Sequence, residues 1–147
     1  MKTIALVLVS VTAFGQSLRL TKAPSGSEGT MILSLSSGAI KPSALQWEVI
    51  VPTDDVILEK TTTGKAAKAA DKIVQCGGQL RSGVKLYAYR CIVAGGTKLM
   101  DDGEVAEMKF KFRRAAGPIK IRLENAKGVA PDLKPIEYAS SDSSLVP

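Results

Sequence analysis

Histidine is absent from this chain, and cysteine occurs only twice. Without histidine, the usual pairs of a nucleophile and its base are not available, and two thiols alone do not complete a tetrahedral zinc shell. A glycosidase would need two facing carboxylates, which no pattern in the sequence indicates, although a lysine base stays open. We therefore predict that the protein is not an enzyme, with no catalytic residue, no metal site and no cofactor.

Aromatic residues are also scarce, at 5% of the chain, and the net charge of +6 is only modestly basic. Nucleic-acid-binding domains concentrate their basic residues in a patch or a reading motif, often beside aromatic side chains. Here lysine and arginine are spread along strand-like segments next to acidic residues. We therefore expect no nucleic-acid partner.

Long apolar runs are missing except near the N terminus, where Lys2 precedes the run 4–14. This run is too short to span a bilayer, and Ala13 and Gly15 are the small residues that a signal peptidase reads. The order of charge, apolar run and cleavage site predicts a signal peptide over 1–15. The mature protein is therefore expected to be secreted, extracellular or periplasmic, with no membrane span.

Export also bears on the two cysteines, because an even pair in an oxidising compartment is usually bridged. Cys76 and Cys91 lie in two strand-like segments, Lys72–Cys76 and Val84–Val93, joined by a glycine-containing connection. We predict a disulfide between these cysteines that ties neighbouring strands together.

The stretch 102–125 contains the two clearest strands. One face of the first strand is apolar and includes Ala106, Met108, Phe110 and Phe112. The second strand alternates in the same way, with Ile119, Ile121 and Leu123 on its apolar face. A period of two is typical of a half-buried strand, and each strand needs an apolar layer opposite it. A sandwich of two sheets provides that layer.

Shorter strand patterns fill the rest of the chain. They are Leu18–Thr21, Thr30–Leu35, Leu45–Val51 with Trp47 on its core face, Val56–Lys60, the two cysteine-bearing strands and Ile136–Tyr138. The alanine- and lysine-rich run 64–71 predicts one short helix. We therefore predict an all-β fold, a single sandwich domain of about nine strands over 16–138, followed by a flexible polar tail at 139–147.

Two aromatic residues, Tyr87 and Tyr89, are candidates for a ligand face. They share one side of their strand with Cys91, while Arg90 and Ile92 are on the other, so the period does not decide which side is the core. If the tyrosines point outward, they form a platform for a sugar ring or a partner helix. If they pack in the core, Arg90 lies in solvent.

The order of these segments resembles the cohesin domains, which belong to the superfamily of carbohydrate-binding-module-like β-sandwiches. The matching residues are Leu45–Val49 followed by Pro52–Val56, then Asp102–Phe112, then Gly117–Ala126. Cohesins are secreted jelly-roll sandwiches whose best-known members are receptors for dockerin modules in extracellular polysaccharide-degrading assemblies. The resemblance implies that the strands on either side of 113–117 belong to different sheets. It identifies no individual binding residue here.

Two functions from different classes follow. The first is a non-catalytic binding or scaffold module for a protein partner, dockerin-like, or for a polysaccharide. The alternative is a structural component of the cell surface, such as an adhesin or a pilus-like subunit. A closed monomer with a shaped face favours the first, and an unpaired strand edge favours the second.

Overall fold

The computed structural model describes residues 16–23, 29–81, 83–114 and 117–146. Their strands and helix, in chain order, are β1 (Ser17–Lys22), β2 (Thr30–Ser36), β3 (Ala44–Pro52), β4 (Val56–Thr63), α1 (Lys65–Ala69), β5 (Ile73–Leu80), β6 (Leu86–Ala94), β7 (Gly103–Phe112), β8 (Ile119–Val129), β9 (Pro135–Glu137) and β10 (Ser141–Leu145). The all-β class with one short helix is confirmed, with ten strands instead of about nine. The signal peptide predicted over 1–15 lies outside the described residues.

The strands form two antiparallel sheets. The first has the order β1-β2-β7-β4, and the second has the order β10-β8-β3-β6-β5 with β9 paired to β8. The consecutive strands β7 and β8 belong to different sheets, as the sequence resemblance implied. Among the described residues, no helix combines the length and the apolar character needed to cross a membrane.

The core fills the space between the two sheets. The alternating residues of β7 and β8 point inward as predicted, with Met108 and Ile121 fully buried. Trp47 of β3 is also fully buried, with an exposed fraction of 0%. Apolar side chains from both sheets therefore form one continuous cluster.

Both lateral openings of the sandwich are bridged by hydrogen bonds. On one side, the backbone N–H of Val74 in β5 donates to the Thr63 hydroxyl of β4 at 3.1 Å. On the other side, the Ser143 hydroxyl of β10 donates to the Leu20 carbonyl of β1 at 2.6 Å. These bonds satisfy backbone groups that the sheet ladders leave free at the edges.

We predicted a flexible polar tail at 139–147, and this prediction is wrong for Ser141–Leu145. These residues form the strand β10, which pairs with β8. Leu145 is 1% exposed and anchors this strand in the core. Only this one residue of the strand is apolar, so the sequence shows no alternation, and the pairing comes from the free edge of β8.

Two strands also run further than the sequence pattern predicts. β5 runs through Gly77 and Gly78 to Leu80, and β8 runs beyond Asn125 to Val129. Asn125 has φ +49, in the left-handed region, where the β3–β8 register shifts. At this bulge the alternation of buried and exposed residues in β8 shifts by one position, and the strand continues. From the sequence alone, the break in alternation looks like the end of the strand.

The loop before β7 is tied to β2 by one carboxylate. Asp102 accepts hydrogen bonds from the backbone N–H of Ser37 at 2.7 Å and from its hydroxyl at 2.5 Å. The neighbouring Asp101 pairs with Lys41. These two hydrogen bonds hold the pKa of Asp102 below its usual value, and the bond from the Ser37 hydroxyl has the larger effect.

This bond makes part of the stability dependent on pH. Because the folded-state pKa of Asp102 is depressed, its contribution is complete above the unfolded pKa of about 3.9 and is lost as the pH falls through the folded pKa. We expect Asp102→Asn to lower the free energy of unfolding by about 1 kcal/mol near neutral pH. The difference from the wild type should disappear at strongly acidic pH. Urea unfolding of both proteins at a series of acidic pH values measures this difference in the free energy of unfolding. A difference that stays the same at every pH would contradict a stabilising role for the ionised Asp102.

Candidate functional site

The outward face of the six-stranded sheet differs from that of the other sheet. Among the described residues on strands, three large hydrophobic side chains are exposed. Ile73 of β5 and Ile92 of β6 lie on this outward face, whereas Leu80 shares the inner side of the sheet with Tyr87 at the end of β5. The corresponding face of the four-stranded sheet carries charged residues, such as Glu107, Lys109 and Lys111 of β7. Exposed apolar surface concentrated on one face is typical of an interaction surface.

A cluster of charged side chains lies in the middle of this face. Its members, which we call the arginine–glutamate cluster, are Glu48, Arg81, Arg90, Arg122 and Glu124. Glu48 of β3 and Glu124 of β8 are direct cross-strand partners, an arrangement in which like charges repel. Arg81 reaches both carboxylates, at 3.5 Å and 2.9 Å. Its guanidinium therefore holds the two glutamates together.

The other two arginines complete the cluster. Arg90 of β6 contacts the Glu48 carboxylate at 2.9 Å, and Arg122 contacts Glu124 at 3.0 Å. The Glu48 side chain is 9% exposed, whereas that of Arg90 is 63% exposed. The glutamates are therefore the fixed base of the cluster, and the guanidinium groups form its surface. Guanidinium groups held in this way present N–H donors to a partner.

The ionisation of Glu48 follows from these contacts. Burial acts to raise the pKa of this carboxyl, but hydrogen bonds from Arg90 and Asn125 outweigh it, and the pKa lies below its usual value. The carboxylate is therefore charged at neutral pH, and the cluster carries three positive and two negative charges.

Two depressions flank the cluster. A cleft of about 540 Å³ lies on the β5 side, lined by Glu48, Gly77, Gly78, Gln79, Leu80, Arg81, Ala88 and Arg90. A groove of about 340 Å³ lies on the β8 side and is mostly apolar, with Ile92, Val129, Leu133 and Pro135 among its lining residues. A charged centre beside an apolar groove combines the two kinds of contact found in protein interfaces.

Leu133 stands out in the groove. It is 81% exposed and has φ +69, in the left-handed region. This conformation costs about 1–2 kcal/mol for a residue with a Cβ, and the exposed side chain recovers none of it by burial. The turn is closed by a hydrogen bond from the Leu133 N–H to the Ala130 carbonyl at 2.9 Å. A strained and exposed leucine is more readily explained by contact with a partner than by folding.

The structure places Tyr87 and Tyr89 on the inner face of β6, together with the buried Cys91, so of the two arrangements weighed for this strand the outward ligand platform is wrong. Both rings are partly buried and pack against the core, with their centroids 4.7 Å apart. The Tyr89 hydroxyl accepts a hydrogen bond from the backbone N–H of Leu58 at 3.0 Å. Arg90 lies in solvent, which fits the alternative weighed for this strand.

The ring of Tyr87 also has a local role. A Cβ added at Gly78 would lie 2.1 Å from a carbon of this ring, so the ring fills the space above the glycine. An aromatic ring over a glycine on the neighbouring strand compensates for the missing side chain. This contact explains how β5 passes through Gly77 and Gly78.

The predicted disulfide between Cys76 and Cys91 is confirmed. It joins β5 to β6, and the two cysteines are direct cross-strand partners. Of the predicted site residues, the bridge and the tyrosines thus lie on the inner side of the sheet.

Sequence reasoning missed the arginine–glutamate cluster. Its members come from four strands or their ends, and they meet only when β5, β6, β3 and β8 are paired in this register. The one signal in the sequence was that Glu48 and Arg90 each fall on the face opposite a buried residue, Trp47 and Cys91 respectively.

No protein-family profile matches the sequence, and no curated protein matches it. Solved structures do resemble the fold. A cohesin module from a family 33 glycoside hydrolase of Clostridium perfringens matches with a TM-score of 0.72 and 14% identity, over 90% of this chain and 96% of that one. The sixth cohesin of Acetivibrio cellulolyticus scaffoldin B, solved in complex with a dockerin, matches with a TM-score of 0.62 and 13% identity, over 90% and 98%.

A non-cellulosomal cohesin from the archaeon Archaeoglobus fulgidus matches with a TM-score of 0.57 and 12% identity, over 90% of this chain and 91% of that one. These likenesses extend over nearly the whole of each chain. The chain therefore has a cohesin-like fold, as its sequence resemblance suggested.

Proposed function

We propose that this chain is a secreted, non-catalytic binding module that recognises a dockerin-like protein with the outward face of its six-stranded sheet. The observation that carries the proposal is the strained, exposed Leu133, which lies in an apolar groove on the same face as the arginine–glutamate cluster. The cohesin-like fold supports it, since a cohesin of similar fold is solved with a dockerin bound.

A protein partner fits this face better than a polysaccharide does. Sugar rings usually stack on exposed aromatic side chains, and Tyr87 and Tyr89 are turned towards the core. The face offers instead an apolar groove and guanidinium donors, which suit a partner with an apolar anchor surrounded by carboxylates or carbonyl oxygens.

A structural role at the cell surface is the second candidate. The observation that favours it is the exposed, uncharged edge strand β5, whose residues other than Val74 are all exposed. Strand addition at such an edge is how some surface components assemble.

Replacing Leu133 by glycine separates binding from folding. Glycine adopts φ +69 without strain, so we expect Leu133→Gly to raise the free energy of unfolding by about 1 kcal/mol. The same change removes the exposed side chain and should weaken dockerin binding by about 10-fold or more. Calorimetric titration with a panel of dockerin modules and urea unfolding measure the two effects.

The matched control is Leu99→Gly, which removes another exposed leucine, in the loop between β6 and β7. This variant should bind with the affinity of the wild type. If no dockerin in the panel binds, or if Leu133→Gly binds as the wild type does, the proposal is wrong. Binding to soluble polysaccharides without binding to any dockerin would favour the carbohydrate alternative instead.

A further inference from the structure

β5 is the open edge of the six-stranded sheet. It pairs with β6 on one side, and seven of its eight residues are exposed, in the pattern eBeeeeee from Ile73 to Leu80. An edge strand of this length presents a row of backbone groups that another strand can use. Which groups face outward follows from the register.

Backbone groups of an antiparallel strand alternate between its two neighbours. The N–H of Arg81 donates to the Leu86 carbonyl at 3.0 Å, so this pair is hydrogen-bonded. Cys76 and Cys91 have Cα atoms 4.1 Å apart, the short spacing of a pair without hydrogen bonds. Both observations give the same alternation along β5.

The even-numbered residues of β5 therefore direct their backbone groups away from β6. Val74 agrees, because its N–H donates to the Thr63 hydroxyl of β4. In the described part of the chain, this is the one backbone group of β5 that is hydrogen-bonded to β4. The outward N–H and C=O groups of Cys76, Gly78 and Leu80 are left for another strand.

The other edges of the two sheets are protected. Natural proteins place charged residues, bulges or proline on edge strands to prevent pairing with another chain. The protecting features are Arg19 and Lys22 in β1, Glu59 and Lys60 at the bulge of β4, Asp142 in β10, and Pro135 and Glu137 in the three-residue β9. β5 carries no charged residue and no proline.

Space is also available beside β5. A cleft of about 300 Å³ separates it from β4, and Val74, Cys76, Gly77 and Gly78 line the β5 side. A Cβ at Gly77 would have no atom within 4 Å. The middle of this edge is therefore not covered by β4, and a side chain at position 77 would have open space on the outer face.

We propose that β5 is a self-association edge, at which the β5 strands of two copies of this chain pair antiparallel and join their six-stranded sheets. Because the free groups recur at every second residue, β5 can pair with its own copy in a two-fold register that matches the free groups of Cys76, Gly78 and Leu80 on both sides. With the two-fold axis at this residue, Gly78 lies opposite Gly78 of the second copy, and Cys76 lies opposite Leu80. Each such pair can exchange two backbone hydrogen bonds.

Charge is compatible with this arrangement. In the same register Arg81 lies opposite the uncharged Gln75 of the second copy, so no like charges oppose each other across the axis. An isologous contact of this kind closes as a dimer and leaves no further open β5 edge. The association does not depend on dockerin binding, so the two proposals can fail separately.

The test compares two changes at Leu80 in the full chain by sedimentation velocity over a range of concentrations. Leu80→Pro removes an outward N–H and no ladder bond to β6, whereas Leu80→Ala keeps that N–H and removes the exposed side chain. We expect a concentration-dependent wild-type dimer, and a dissociation constant raised about 10-fold or more by Leu80→Pro, since the dimer loses the bond twice. Leu80→Ala should leave most of the association intact.

A second variant guards against misfolding of Leu80→Pro. Gly77→Lys places a charge at the middle of the edge where a side chain has room, and it should likewise raise the dissociation constant of the dimer about 10-fold or more. Thr62→Lys on the protected β4 edge is its control and should dimerise as the wild type does. Amide exchange at Gly78 and Leu80 should slow only at concentrations where the dimer forms. A wild-type monomer at every concentration, or a dimer that Gly77→Lys leaves unchanged, would overturn the proposal.

Discussion

Replacing Trp47 by alanine is expected to lower the free energy of unfolding by about 3–5 kcal/mol, the usual cost of removing a large aromatic side chain from a core. Trp47 is 0% exposed and lies among Leu45, Val49 and Val51 on the inner face of β3. That strand pairs with both β6 and β8, so a cavity there loosens the middle of the six-stranded sheet. Guanidinium-induced unfolding followed by circular dichroism measures the change.

Trp47→Phe is the matched variant. The indole N–H of Trp47 has no hydrogen-bond partner among the described residues, so phenylalanine loses only part of the packing and no hydrogen bond. We expect a cost of about 1–1.5 kcal/mol for this variant. A loss as large as that of Trp47→Ala would show that the indole ring itself, and not the buried volume, is what the core requires.

Removing the disulfide should have the second largest effect. The bridge between Cys76 and Cys91 closes a loop with a sequence separation of 15. In the chain-entropy account, a loop of this size contributes about 3 kcal/mol by restricting the unfolded chain. We therefore expect the double variant Cys76→Ala, Cys91→Ala to unfold at a correspondingly lower denaturant concentration.

Alanine at position 91 also removes a buried sulfur atom, so the double variant alone does not isolate the bridge. Comparing the oxidised and the reduced wild type in the same denaturant series does, because the two differ only in the bond itself. Equal midpoints for the oxidised and reduced forms would show that the bridge adds no stability. Equal losses in the reduced protein and in the double variant would assign the whole effect to the bridge.

The strands that a period of two predicts are those with apolar residues on one face only. β7 and β8 show this pattern, and their inward residues Met108 and Ile121 are buried as expected. β10 escaped prediction because its single apolar residue, Leu145, is held by pairing with β8. β5 was cut short because glycine usually ends a strand, whereas here the ring of Tyr87 covers Gly78.

The candidate site was harder to predict from the sequence than the fold was. Alternation shows that Glu48 and Arg90 occupy the faces opposite Trp47 and Cys91, but it does not show which strands become neighbours. For β6 the two faces were equally plausible, and the buried position of Cys91 beside the core decides between them. Distant residues such as Arg81 and Glu124 meet only through the pairing of four strands.

The pairing of Trp47 with Cys91 gives this protein an internal optical probe. Trp47 is the only tryptophan in the chain, it is fully buried, and its cross-strand partner carries one sulfur atom of the disulfide. Indole emission shifts to shorter wavelength in an apolar environment, and a nearby disulfide quenches it by accepting an electron from the excited ring. Opening the sheet or reducing the bridge should therefore change the same fluorescence signal, through its wavelength in the first case and through its intensity in the second.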